Sequence, residues 1–231
     1  LMEDTSIIIE ALTLIITLNH GLFSVVTTTL KVSVTAVVLS CIISIPMATL
    51  ISMKNFRGKK IITIIINGLM GLPPVVVGLF IYLLLSYQGP LAAYNLLYTV
   101  WAMIIAQIVI VTPIITALSK QSIDSIYTEY KDFMKSINLS TFKSMKLLIW
   151  ETRDLLLINS FAGLGRAFAE VGAVMIVGGN IAYETRMLTT SIALETSRGD
   201  LVTAMALGLI LIILSITVSL LINIIRNKSI N

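Results

Sequence analysis

Arg166 and Glu170 stand four residues apart inside an otherwise apolar run, Ser160-Phe161-Ala162-Gly163-Leu164-Gly165-Arg166-Ala167-Phe168-Ala169-Glu170-Val171-Gly172-Ala173. On a helix that spacing brings opposite charges onto one face as an ion pair. In a bilayer each charge costs about 2.5 to 3.5 kcal/mol at mid-span, so the two are tolerated only when paired or wetted. Two readings stay open: a structural lock on a neighbouring helix, or a polar stretch of a solute path. A second unusual stretch lies upstream, Asn67-Gly68-Leu69-Met70-Gly71-Leu72-Pro73-Pro74-Val75-Val76-Val77-Gly78. Pro73 and Pro74 remove two backbone donors and the glycines remove side chains, so a helix cannot run straight through. The freed carbonyls need partners that lipid does not offer. A packing kink with close helix approach and a broken helix lining a pathway both fit. Gly71, Pro73, Pro74, Gly78, Ser160, Gly163, Arg166, Glu170 and Gly172 are therefore the candidate pathway or gate residues.

Other chemistries lack their parts. No Gly-x-x-x-x-Gly-Lys-Ser/Thr is present to cradle nucleotide phosphates, and Gly163-Leu164-Gly165 follows no strand, so it is not a dinucleotide fingerprint. No His, Cys and carboxylate cluster has metal-ligand spacing, and His20 is the single histidine, which removes Ser-His chemistry. The single Cys41 excludes an intrachain disulfide and reads as a small apolar packer. The chain is expected to be no enzyme and to hold no metal or cofactor.

The elements that must position these residues are set by composition: 231 residues, 57% hydrophobic, 12% charged, mean hydropathy +0.98. An ordinary soluble domain has about 25% charged residues. About 20 apolar residues cross a bilayer core of about 30 Å. Five windows qualify, Val32 to Ile51, Ile61 to Leu85, Tyr98 to Leu118, Leu155 to Val177 and Leu201 to Ile225. Each is long and unalternating, which predicts helices rather than barrel strands. The expected fold is an all-α membrane protein with five transmembrane helices. Gln107, Pro113 and Pro46 read as kinks or interhelical hydrogen bonds.

Lys54, Arg57, Lys59 and Lys60 fall in the first connection, Lys120, Lys131, Lys135, Lys143, Lys146 and Arg153 in the third, and Arg226 and Lys228 in the tail. This bias places the big loop and the C-terminus in the cytoplasm and the N-terminus outside. It is a membrane-orienting pattern, with no nucleic acid partner implied by the net charge of +4. Ile7, Ile8, Ala11, Leu12, Ile15 and Leu18 recur at helical spacing, with Asp4 and Thr5 as caps, predicting an external amphipathic helix over 1–21. Three acidic residues and no basic start argue against a signal peptide there. His20, beside Gly21, reads as interfacial or capping. The outer loop 178–200 carries balanced charges and the hydroxyls Thr189, Thr190 and Ser191, either a protein-facing surface or a solvated loop. Residues 22–231 form the transmembrane domain, interrupted by one long polar loop at 119–152.

That loop carries five lysines and two amphipathic segments. Phe133, Met134 and Ile137 share one face of a first short helix, and Phe142, Met145 and Leu148 one face of a second. Asn138 between them is suited to a left-handed turn. A hairpin on anionic lipid and a docking knob for a soluble partner are both open readings. The arrangement resembles the cytoplasmic loop of the membrane subunits of binding-protein-dependent ABC importers, with its Glu-Ala-Ala, three residues, then Gly. Asp132 stands for the Glu, Phe133 and Met134 for the two Ala, and Asn138 for the Gly; all four are substitutions. Gly71-Leu72-Pro73-Pro74-Val75-Val76-Val77-Gly78, Gly89-Pro90-Leu91 and Arg166 through Ile181 resemble the tungstate branch of the molybdate/tungstate permeases, a likeness running over about residues 22 to 225.

The resemblance implies a type I importer permease fold in the cell membrane. It implies a homodimer with two cytoplasmic ABC ATPase subunits, which would bind the ATP and Mg, and an external binding protein. Asp132, Phe133, Met134, Ile137, Asn138, Leu139, Ser140 and Phe142 would form the ATPase-coupling surface. The expected cargo is tungstate or molybdate, the alternatives being another oxyanion or small solute, or a stand-alone secondary carrier. No span pattern repeats in opposite orientation, which weighs against the carrier.

Overall fold

The computed structural model describes residues 10–15 and 20–230, with side chains of 10–15 and 21–224. Among these residues the fold is helical, with no strand. Helix α1 is His20–Met53, α2 Lys59–Leu69, α3 Pro74–Leu85, α4 Val100–Ser136, α5 Thr141–Glu151, α6 Arg153–Phe168, α7 Gly172–Gly178, α8 Leu188–Arg198 and α9 Leu201–Ile230, with a 3-10 turn at Ala92–Tyr94. Three helices, α1, α4 and α9, are long and apolar enough to cross a membrane unaided. The expected second and fourth spans are bent pairs: α2 and α3 meet at 98°, α6 and α7 at 63°. The interruption expected in the second window is thus present, whereas the continuous helix expected in the fourth is corrected to a bent pair. The proline and glycine content that forbids continuation is at 70–73; at 169–171 the break comes without proline, where the charged Glu170 leaves the helix.

The centre of the molecule is the pair α1 and α4. They run parallel: the Ser44 hydroxyl of α1 donates to the Thr112 carbonyl of α4 at 3.1 Å, and nearer their other ends the Tyr127 hydroxyl donates to the Met53 carbonyl at 3.1 Å. Ser33, Ala36, Ser40, Ser44, Ala48 and Ser52 lie buried along α1. Small side chains let the backbones approach closely where no hydrophobic effect drives association. Lys59 closes the end of α1 by donating to the Ser52 carbonyl at 2.9 Å. A C-terminal cation is favoured there by the helix dipole.

Helix α4 is longer than expected. Its 37 residues span about 55 Å at 1.5 Å each, well beyond a bilayer core. The stripe Ile123, Ile126, Tyr127, Tyr130, Met134 keeps helical spacing past Leu118 and packs against Ala48, Leu148 and Leu156. The first short helix of the 119–152 loop is thus the end of α4, and only the second, α5, is separate. Between them the chain turns on Asn138, at φ 47°. The Leu139 N–H donates to the Met134 carbonyl and the Asn138 N–H to the Lys135 carbonyl, both at 3.1 Å. This double closure is a Schellman cap. Phe133 and Ile137 project into solvent while Met134 is buried, so the expected common face of these three is split. Phe142 and Leu148 diverge likewise, Phe142 being exposed and Leu148 buried.

The stretch 178–200 is folded. The Leu188 N–H donates to Thr29 Oγ1 on α1 at 2.9 Å, and Thr189, Thr190 and Ser191 are buried, contrary to the solvated or protein-facing hydroxyls expected. At the start of α9 the Asp200 carboxylate caps the helix by accepting from the Thr203 N–H, which holds its pKa below the usual carboxylate range. Of the expected external helix, residues 10–15 are helical, with Ala11 buried and Leu12 exposed. Asp4, Thr5, Ile7, Ile8 and Leu18 lie outside the described residues, as does the side chain of His20.

The left-handed turn sets one expectation. Asn138→Ala places a β-carbon without compensating side-chain polarity at φ 47° and lowers stability by about 1 kcal/mol, whereas Asn138→Gly is neutral or stabilising. Thermal unfolding in detergent reads both; equal losses would exclude a backbone cause.

Candidate functional site

Breaking a helix inside a low-dielectric layer frees carbonyls and N–H groups that must be satisfied by protein. At the 169–171 break this is carried out by named side chains. Gln107, fully buried on α4, donates from Nε2 to the Ala167 carbonyl at 3.0 Å. The Thr189 hydroxyl, on α8, donates to the Glu170 carbonyl at 2.7 Å. The Glu170 carboxylate accepts from the Ala173 N–H at 3.0 Å in the first turn of α7, and its other oxygen accepts from Arg166 Nη1 at 3.0 Å. Glu170 is 2% exposed and Arg166 32%. The pair forms as the spacing suggests, but Glu170 lies past the end of α6, so the expected single helical face is corrected to a contact across the bend. A carboxylate beside the first N–H groups of a helix is also favoured by the helix dipole. The result is one part-open guanidinium held by a buried carboxylate that accepts one hydrogen bond on each oxygen.

The second break abuts the first. A β-carbon on Gly78 would sit 2.7 Å from the Ala173 Cα, and one on Gly172 2.6 Å from Val75 Cγ2. α3 and α7 therefore touch through glycine at both positions, and the two bent pairs form one unit. Gly71 and Pro73 are exposed and Pro74 half-buried at the turn. Gly163 and Ser160 lie elsewhere on α6: Gly163 is packed under Ile115 and Val111 of α4, and the Ser160 hydroxyl donates to the Leu156 carbonyl at 2.7 Å while accepting from Cys41 at 3.1 Å. Of the nine candidate pathway residues, Arg166, Glu170, Gly172 and Gly78 come together with the 71–74 turn at the near end of α3. The other two pack against α4 and α1.

Gln107 reads from sequence as an interhelical hydrogen bond, and the structure supplies its partner. Thr189 carries no such signal, because a hydroxyl run in a polar stretch looks solvated; the adjoining apolar Met187-Leu188 was the available hint. Among the described residues no group of three or more His, Cys, Asp or Glu side chains converges to hold a metal ion.

The 137–140 corner is a separate surface at the lysine-rich end. Phe133, Ile137 and Phe142 are 55%, 53% and 77% exposed, an apolar patch outside the bilayer-length part of α4. Met134, Leu139 and Leu148 brace it from beneath. Asp132 and Lys135 lie 4.0 Å apart on the exposed side, while Ser140 is the N-cap residue of α5.

Residues 40–229 match the family described as binding-protein-dependent transport system inner membrane component. A tungstate uptake system permease protein, TupB, of Peptoclostridium acidaminophilum is 37% identical over 209 residues, covering 90% of this chain and 92% of the relative. The protein of the same name from Campylobacter jejuni is 35% identical, covering 89% and 86%. A probable anion ABC transporter permease protein of Haloferax volcanii is 36% identical, covering 86% and 88%.

Two measurements follow from the geometry. Arg166→Gln and Glu170→Gln each lower stability by about 1 to 3 kcal/mol, and the double variant loses less than their sum, because each single change strands one charge. A thermal-unfolding cycle with additive losses would rule the pairing out. Gly78→Ala, facing immovable backbone, costs about 1 to 3 kcal/mol. Gly208→Ala, with open space around it on α9, gains about 0.5 to 1 kcal/mol in the same assay.

Proposed function

This chain belongs to the binding-protein-dependent transport system inner membrane components, and from that premise we propose that it is the permease of an ATP-driven importer of tungstate, or of molybdate. It is a multi-pass protein of the cell membrane. In the proposed arrangement two copies enclose the path, two cytoplasmic ATPases drive it, and an external protein captures the oxyanion. The lysine-rich end then faces the cytoplasm, in keeping with the loop bias.

The observation that carries this reading is the corner at 137–140. Three large apolar side chains exposed beyond the bilayer, on a rigid Schellman-capped turn, are what a cleft in a soluble motor would seize. Asp132, Phe133, Met134, Ile137, Asn138, Leu139, Ser140 and Phe142 make up the coupling surface, with Met134 and Leu139 acting from beneath as its support. ATP-driven approach of two such corners would pull on α4 and α5 of each copy and open the bundle outward; hydrolysis would release them. The exposed apolar face Val75, Val76, Leu79, Phe80 and Leu83 on α3 supports a second copy or lipid against the broken spans. Passage of a dianion past Arg166 is favoured by its part-open guanidinium. Neutralisation of that charge by Glu170 keeps the attraction shallow, so that the ion is released.

ATP and Mg are held by the motor subunit, and this chain contributes no catalytic group. With purified motor and binding protein in proteoliposomes, Asp132→Ala combined with Phe133→Ala abolishes oxyanion-stimulated ATP hydrolysis and uptake, while insertion and folding persist. Full coupled uptake in that double variant would refute the docking role. Comparing stimulation by tungstate, molybdate and sulfate identifies the cargo; transport by this chain alone without ATP would favour a secondary carrier.

A further inference from the structure

At the end of the molecule opposite the 137–140 corner, a cavity of about 200 Å³ lies between the start of α1, α8 and the start of α9. Its walls differ sharply in chemistry. Leu14, Leu22, Val25 and Leu207 are the apolar side; Arg186, Ser191, Glu195 and Thr203 are the polar side. Two of the polar groups are unusual. Ser191 is 2% exposed and its hydroxyl has no hydrogen-bond partner, and the Arg186 Nε–H is buried and likewise without one. A buried donor left unpaired costs about 1 to 3 kcal/mol, so two lining one cavity require a reason.

Arg186 is held from behind, its Nη2 donating to the Asn180 carbonyl at 3.3 Å. That fixes the guanidinium while leaving Nε free. Glu195 opposes it in the lining, but its carboxylate is paired with Arg198 at 3.3 Å. Arg186 and Arg198 are thus matched by Glu195 and by Asp200, whose carboxylate sits on the Thr203 N–H, so the formal charge balances and the unpartnered donors carry the selectivity. A fixed guanidinium N–H and a hydroxyl, both unpartnered, make a set of donors suited to an acceptor-only, negatively charged group. The volume is several times the roughly 30 Å³ share of one water, ample for a small tetrahedral anion.

We propose that this cavity is a binding site for a tetrahedral oxyanion, held by Arg186 and Ser191, present either as a free ion or as the phosphate of a phospholipid headgroup in the adjoining leaflet. Leu22, Val25 and Leu207 are buried in one cluster with Leu188, against which Ile210, Leu211 and Leu214 of α9 pack. The site is separate from Arg166 and the broken spans, and its occupation does not depend on transport.

The test uses the full-length chain, in detergent and in phosphatidylglycerol nanodiscs, with neither motor nor binding protein. In detergent, binding of tungstate and of inorganic phosphate is titrated; from nanodiscs, retained phosphatidylglycerol is counted by native mass spectrometry. Wild type retains one of the two ligand forms, and which arm responds identifies the source. Arg186→Gln and Ser191→Ala weaken retention at least tenfold. Glu195→Gln strengthens it severalfold by removing the opposing charge. Ser191→Ala and Glu195→Gln keep the test intact if Arg186→Gln does not fold. Retention of neither form by wild type, unchanged retention in Ser191→Ala, or weaker retention in Glu195→Gln would overturn the proposal. ATPase stimulation is not read, so this outcome is independent of the importer assignment.

Discussion

Backbone hydrogen bonding is the constraint on which the arrangement rests. A helix that breaks inside an apolar layer has no water to replace its lost partners. This molecule breaks two. At the 169–171 break the replacement is explicit: Gln107 takes the Ala167 carbonyl, Thr189 the Glu170 carbonyl, and the Glu170 carboxylate the Ala173 N–H. The three groups come from α4, from α8 and from the break itself, so the bend is held by elements far apart in sequence. The ion pair with Arg166 then follows, because a carboxylate engaged at the start of α7 has one oxygen left facing back along α6.

Gln107 and Phe133 lie on the same unbroken helix, 26 residues apart by their numbers, or about 39 Å along the axis. The hydrogen bond at the break and the apolar side chains at the corner are therefore joined by one rod. Under the proposed reading, displacement of the corner moves Gln107 relative to the Ala167 carbonyl, at the point where α6 ends. The close glycine contacts of α3 on α7 would pass that movement to the other broken pair, since neither Gly78 nor Gly172 leaves slack between them. The two-state element that such a path would bias is the bent pair of half-helices α6 and α7.

Much of this was legible in sequence, for reasons that differ by element. The apolar windows gave the helices because bilayer thickness fixes their length, and Pro73-Pro74 announced the sharper break because proline removes a donor outright. Asn138 announced the turn, since a short polar side chain tolerates left-handed backbone. The bend at 169–171 was not visible: Arg166 and Glu170 fit an intact helix equally well by spacing, and the partner that stabilises the bend, Thr189, lies in a stretch resembling a solvated loop. The length of α4 was also missed, since the polar residues after Leu118 hid the stripe from Ile123 to Met134. Burial decided both cases, and burial depends on which helices become neighbours.

The halves α2 and α3, with 11 and 12 residues, are each too short to cross a bilayer. During synthesis they leave the ribosome ahead of α4, against which α2 packs, and of α7, against which α3 packs. Neither half is long enough to span alone, so the pair is complete only once the segments it packs on are in place. α9, with no charged residue between Leu201 and Ile224 and little of that stretch buried against the other helices, is long enough to span on its own. Biogenesis of this chain is thus least secure in its first third, where a delay or a premature stop would leave a proline-split hairpin with unmatched amides in the hydrocarbon.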